Sequence, residues 1–217
     1  MPAHFAERLK ALLLEPLPGW DAHSEMINYL RPNLEDAEAL LPHARKGAVL
    51  VLLYPKAGVW HLVLTLRHSY AGHHSAQVSF PGGSRDPEDH SLLHTAMREA
   101  REEVGLVAED IQQLGELSQV YIPPSNFLVR PFVALCRYTP AFVREPYEVA
   151  RIIEAPLHLL LAPGTLQEKP MQLSAMKTEA MVRYFALDGE TVWGATAMML
   201  NELKHILVRA GYNGEKC

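Results

Sequence analysis

The sequence predicts an α+β fold: a layered αβα sandwich built on a mixed β-sheet. Three observations lead there. Short apolar runs with strand character recur between residues 48 and 137. Segments at 91–104 and 193–210 carry apolar residues at helical spacing. Strands and helices do not alternate as clean βαβ units, which argues against a doubly wound parallel sheet. At 217 residues and 48% hydrophobic content, the chain suits one domain with additions, or a domain with a small arm.

The elements follow in order. Phe5, Leu9, Leu12 and Leu13 fall at helical spacing over 4–14, and Pro16 and Pro18 end that helix. Residues 19–45 suggest one or two short helices broken by Pro32 and Pro42, so 1–45 reads as an N-terminal helical arm and 46–217 as the main domain. Ala48–Tyr54 and Trp60–Arg67 flank the turn Lys56-Ala57-Gly58 and read as a hairpin. Residues 76–80 suit a third strand, stopped by Pro81-Gly82-Gly83. A helix follows at about 91–104, then strands at 114–121 and 129–137. A polar stretch, the segment 151–161, a strand at 180–187 and a helix at 193–210 complete the chain.

Composition narrows the function. The net charge is −5 and the pI near 6.1, with no basic face, which excludes a nucleic-acid duplex as main partner. A small anionic ligand stays compatible, because a metal ion can invert local charge. Only Cys136 and Cys217 are present, so no disulfide framework is expected; Cys136, in an apolar run, reads as a buried thiol. Residues 1–10 are too charged for a signal peptide, and no run reaches the roughly 18 apolar residues of a membrane span. A cytoplasmic protein without a membrane partner is the expectation.

The chemistry concentrates in 82–106, GGSRDPEDHSLLHTAMREAREEVGL. The first half is a loop of turn formers. Asp89 or Ser91 suits a helix N-cap, and Gly105 suits the residue after the helix. Leu93, Ala96 or Met97, Ala100 and Val104 make an apolar face. Glu99, Glu102 and Glu103 lie at i, i+3 and i+4, so three carboxylates share another face near the helix C-terminus. Such like charges destabilise a helix by a few tenths of a kcal/mol per pair, and the dipole disfavours anions there. A bound cation accounts for the arrangement, and hard oxygen ligands suit Mg²⁺ or Mn²⁺. A solvated acidic face, with Arg98 and Arg101 in surface ion pairs, is the plainer alternative.

The wider pattern resembles the Nudix box, G-x5-E-x7-R-E-U-x-E-E-x-G-U with U aliphatic. Arg98 through Leu106 matches its second half. In the first half, counted from Gly83, Asp89 stands at the expected Glu position, eight residues rather than seven precede Arg98, and Glu88 is the alternative carboxylate. Upstream, Leu64-Thr65-Leu66-Arg67 and Phe80-Pro81-Gly82-Gly83 resemble the signature of the coenzyme A-hydrolysing branch, as does Val192-Trp193-Gly194-Ala195-Thr196-Ala197 downstream. His68, Gly72 and Ala76 differ from that signature. The resemblance spans about 47 to 207.

It implies a Nudix domain over 46–217 that hydrolyses a diphosphate bond in a nucleoside diphosphate derivative, with Mg²⁺ or Mn²⁺ held by Glu99, Glu102 and Glu103. Coenzyme A or its acyl derivatives are the implied substrates; the alternatives are another substrate, such as an ADP-sugar or a dinucleotide, or a nucleotide-binding Nudix module that does not cleave. Arg67, at a strand end, offers a planar fork to a phosphate oxygen, with Gly82, Gly83 and Arg98 as further substrate-binding positions. Glu148 reads either as surface charge or as the additional acid that family enzymes draw from this region. Adjacent His73 and His74 lack ligand partners at zinc spacing. Asn126 and Phe127 suit either a ligand pocket or a rigid Pro-Pro loop, and Trp193 suits helix-start packing. Relatives that pair, together with the apolar helix at 4–14, suggest a homodimer.

Overall fold

The computed structural model describes residues 3–27, 31–68, 77–107, 111–173 and 178–214. The fold is the α+β sandwich expected. Its helices are α1 (Ala3–Leu12), α2 (Gly19–Ser24), α3 (Leu92–Val104) and α4 (Gly194–Arg209). The first strands are β1 (Arg45–Lys56), β2 (Val59–Arg67), β3 (Val78–Ser79) and β4 (Gly82–Ser84). β5 (Ile111–Glu116), β6 (Val120–Ile122), β7 (Phe127–Cys136) and β8 (Val149–Pro156) complete the main sheet. β9 (Leu166–Leu173), β10 (Thr178–Leu187) and β11 (Glu190–Val192) form a second, antiparallel sheet.

β1 is the spine. It runs parallel to β7 and antiparallel to β2 and β4, so the main sheet is mixed. Its side chains alternate between two cores. Ala48, Leu50, Leu52 and Tyr54 pack with Ala96, Ala100 and Val104 of α3. Val49, Val51 and Leu53 pack on the other face with Leu9 of α1 and Leu200, Leu203 and Leu207 of α4. Burial on both faces explains why β1 reads as a continuous apolar run.

The β1–β2 hairpin parts beyond the pair Leu53–Leu62. β3 then pairs with β2 at Thr65 and Leu66, while β4 pairs with β1 at Gly47–Val49. Phe80-Pro81 crosses from one strand to the other, with the Pro81 carbonyl accepting from Leu50 N–H at 2.8 Å.

Several expectations need refining. The strand expected at 114–121 is two, β5 and β6, with a register shift between Gln113 and Gly115. Residues 82–84 form a short strand rather than only a stop. Between 19 and 45 lie α2 and a 3₁₀ turn at Leu41–His43. α1 spends Ala6 and Leu9 on the chain's own core, as does Leu13 just past its end, so this face is not available to a second copy. Cys136 is fully buried. Gly72, His73, His74, Ala76 and Cys217 lie outside the described residues. No described helix is long and apolar enough to cross a membrane.

Candidate active site

α3 is fixed at both ends. Ser91, not Asp89, is the N-cap: its hydroxyl accepts from His94 N–H at 3.1 Å. Gly105 adopts φ 67 and gives its N–H to the Ala100 and Arg101 carbonyls. With the apolar face against β1, Glu99 and Glu103 turn towards β4.

Glu103 is buried. One oxygen accepts from Gly82 N–H at 3.1 Å, and the other meets Arg67 Nη1 at 3.4 Å. Burial, with Glu99 and Glu148 nearby, pushes its carboxyl up to about 7 against the pull of Gly82 N–H and Arg67. Burial likewise raises Glu99, with Glu102 and Glu148 adding to it and Arg98 opposing. Glu148 itself is exposed, next in the chain to Val149, which stands opposite Arg67 in the β2–β8 pairing. A register shift between Leu66 and Arg67 re-aims Arg67 at this point. Arg67 Nε is buried without a hydrogen-bond partner among the described residues.

Glu102 is half exposed and is held by Arg98 Nη1 at 2.9 Å, which also lies 3.0 Å from Glu99. The rest of the Arg98 fork faces inward. Nε and Nη2 donate to Asp89 at 3.1 and 3.0 Å, and Nη2 also donates to the Ser84 carbonyl at 3.2 Å. Arg98 thus ties Glu99 and Glu102 to the Asp89 loop. Asp89 is buried and also accepts from Thr95 and His94 and from Asp86 N–H. The Arg98 guanidinium holds its carboxyl well below the usual range. Asp89, rather than the exposed Glu88, is therefore the loop carboxylate that is built into the structure.

The glycines are explained by close approach. A Cβ on Gly83 would stand 2.5 Å from the Glu99 carboxyl carbon, and one on Gly82 would strike the Ala48 carbonyl. A Cβ on Gly47 would strike the Phe127 ring and the Gly83 carbonyl. Gly47 was not singled out from the sequence, although a lone glycine in an apolar strand signals such an approach. Gly83→Ala is expected to lower turnover at least tenfold while costing only about 1 kcal/mol of stability, because the obstacle is the end of a flexible side chain. Paired urea melts and kinetics check this; an unchanged rate counts against it.

Asn126 and Phe127 serve structure. Asn126 caps the Pro123–Ser125 turn, accepts from the Tyr121 hydroxyl and donates to the His43 carbonyl. Phe127 lies under the Arg45 guanidinium. Trp193 is the half-buried residue that precedes α4.

Among the described residues, no three His, Cys, Asp or Glu side chains are gathered closely enough to hold a metal ion as they stand. The donor chemistry nevertheless fits a hard divalent cation. A buried carboxylate, a half-buried one and an exposed one share a region with two contacting guanidinia, Arg67 on Glu103 and Arg98 on Glu99 and Glu102, and burial penalises the charge of Glu99 and Glu103.

The NUDIX domain model matches residues 44–170. The "Uncharacterized Nudix hydrolase NudL" of Yersinia pestis (strain Pestoides F) is 31% identical over 187 residues, covering 83% of this chain and 92% of the relative. The Nudix hydrolase RenU of M. smegmatis shares the fold with a TM-score of 0.50 at 17% identity, over 76% of this chain and 87% of that one. A MutT/nudix family protein from Enterococcus faecalis has a TM-score of 0.50 at 14% identity, over 88% and 67%. The matched domain and the extent of the identity establish that this chain belongs to the Nudix hydrolase family.

Proposed function

We propose that this Nudix hydrolase cleaves the diphosphate bond of coenzyme A or acyl-coenzyme A, giving 3′,5′-ADP and 4′-phosphopantetheine or its acyl form. The observation that supports the site assignment is the gathering of Glu99, Glu103 and Glu148 beside Arg67 and the Gly82–Gly83 strand. The coenzyme A assignment rests on the resemblance of Leu64–Arg67 and Phe80–Gly83 to that branch.

In this reading water adds to one phosphorus, the bridging P–O bond breaks, and two phosphate monoesters leave. Glu99, Glu102 and Glu103 hold Mg²⁺ or Mn²⁺, which when bound neutralises developing charge and acidifies water. The unpartnered Nε of Arg67 gives a fork atom to a phosphate oxygen. Arg98, anchored on Asp89, keeps Glu99 and Glu102 in place. Glu148, open to solvent and within electrostatic reach of Glu99 and Glu103, assists removal of the water proton. Cytoplasmic action fits the reducing character of the two-cysteine chain.

The test compares kcat/KM for coenzyme A, dephospho-coenzyme A, ADP-ribose and NADH with Mg²⁺ and Mn²⁺. Coenzyme A at least tenfold ahead supports the assignment; cleavage of ADP-ribose without coenzyme A rejects the substrate and leaves the hydrolase. Glu148→Gln is expected to lower kcat more than it raises KM. An unchanged rate assigns Glu148 to the solvated surface.

A further inference from the structure

The segment 143–149 is clamped to the C-terminal end of the catalytic helix. Val143 N–H donates to the Val104 carbonyl at 2.9 Å, and Glu145 N–H to the Glu103 carbonyl at 3.0 Å. The turn is closed by Val149 N–H on the Glu145 carbonyl at 3.0 Å and by Tyr147 N–H on Glu145 Oε1 at 3.1 Å. His68, next to Arg67, donates from Nε2 to the Pro146 carbonyl at 2.9 Å, and Arg144 Nη1 donates to the Val149 carbonyl at 2.7 Å. This fixed turn presents Tyr147, whose side chain belongs to neither core and is 90% exposed.

We propose that Tyr147 is a stacking platform for the nucleobase of the diphosphate substrate. The inference rests on the proposed function of the carboxylate site. Three features support it. The ring is the direct chain neighbour of Glu148, which lies within electrostatic reach of Glu99 and Glu103. The backbone that bears it is held by the catalytic helix and by β2, so little ordering is needed on binding. The charged groups around the turn, Glu99, Glu103, Glu145 and Glu148, are mostly acidic, with Arg67 and Arg144 engaged by Glu103 and the Val149 carbonyl. That field disfavours a further anionic group at Tyr147 and suits a flat, neutral ring. Stacking is insensitive to charge and tolerates any base.

Binding of AMP and of ribose 5-phosphate, each with Mg²⁺, is measured by calorimetry on the wild type, Tyr147→Ala and Tyr147→Phe. The wild type is expected to favour AMP. Tyr147→Ala is expected to weaken AMP about tenfold or more and to leave ribose 5-phosphate within twofold, with Tyr147→Phe restoring AMP. On a cleaved nucleoside diphosphate derivative, Tyr147→Ala raises KM by a similar factor while kcat stays within about twofold. The platform is overturned if the wild type binds AMP no better than ribose 5-phosphate, if Tyr147→Ala leaves AMP within twofold, or if it weakens both ligands equally. Failure of the wild type to cleave any nucleoside diphosphate derivative overturns the proposed function instead, and the binding arm still decides the role of Tyr147.

Discussion

Glu103→Gln is expected to cut metal-supported turnover by about a thousandfold while the chain stays folded. Glutamine keeps the shape and can still accept from Gly82 N–H, so the loss falls on the negative charge. A bound divalent cation supplies several kcal/mol of transition-state stabilisation, and each 1.36 kcal/mol is about tenfold in rate. Glu102→Gln is expected to act in the same direction, through a carboxylate that Arg98 holds in the metal-free chain. A rate within tenfold of wild type in both variants, insensitive to chelator, rejects the metal assignment. The same substitution has a signature in stability. The Glu103 carboxyl is pushed up to about 7 in the folded chain, against an ordinary value of 4.5. Between those values the folded chain keeps a proton that the unfolded chain has released. Stability of metal-free protein therefore falls as pH rises from about 4.5 to 7 and levels off above, by roughly 3 kcal/mol at most. Chelator-treated Glu103→Gln lacks this slope, and urea melts from pH 5 to 8 on both proteins read the difference.

Much of the site was legible because it is local in sequence. The Glu99, Glu102 and Glu103 spacing, the Ala96, Ala100 and Val104 face and the Gly105 cap all lie on one helix, and helical geometry alone places them. Apolar β1 and β2 were legible as a hairpin, being joined by a tight turn. The unread parts depend on distant pairing. β4 is three residues whose strand character comes from β1, and β9, with Pro170 and charged residues on an exposed edge, has no strand pattern of its own. The contacts of Arg98 with Asp89 and Ser84 were not legible, because these partners are brought to it only by the folding of the loop over α3. The turn at 145–149 was read as polar loop for the same reason, since its anchors on Val104 and His68 lie far away in sequence.

Glu202→Gln is expected to destabilise the fold by about 3 kcal/mol, far from the carboxylate site. Glu202 is fully buried on α4, and each of its oxygens accepts two hydrogen bonds. Oε1 takes Gly19 N–H at 3.0 Å and the Ser118 hydroxyl at 2.6 Å. Oε2 takes the His23 ring Nε2 at 3.1 Å and Ser118 N–H at 3.0 Å. This one carboxylate joins α2 and the β5–β6 connection to α4. An amide has a single acceptor oxygen, so its NH₂ must face two donors in a dry site. Leaving buried donors unmet costs about 1–3 kcal/mol each, and hydrogen bonds to a charged group are at the strong end. Burial pushes the Glu202 carboxyl up, but His23, Ser118 and Gly19 outweigh it and hold it below 4.5. A carboxylate lowered on folding contributes stability above its unfolded value and loses it as pH falls through the folded one. The gap between wild type and Glu202→Gln in urea is thus widest near neutral pH and narrows below about 4.5. A midpoint shift worth less than about 0.5 kcal/mol at pH 7, with an unchanged m-value, shows that the four donors find other partners and that Glu202 does not fasten the N-terminal segment to α4.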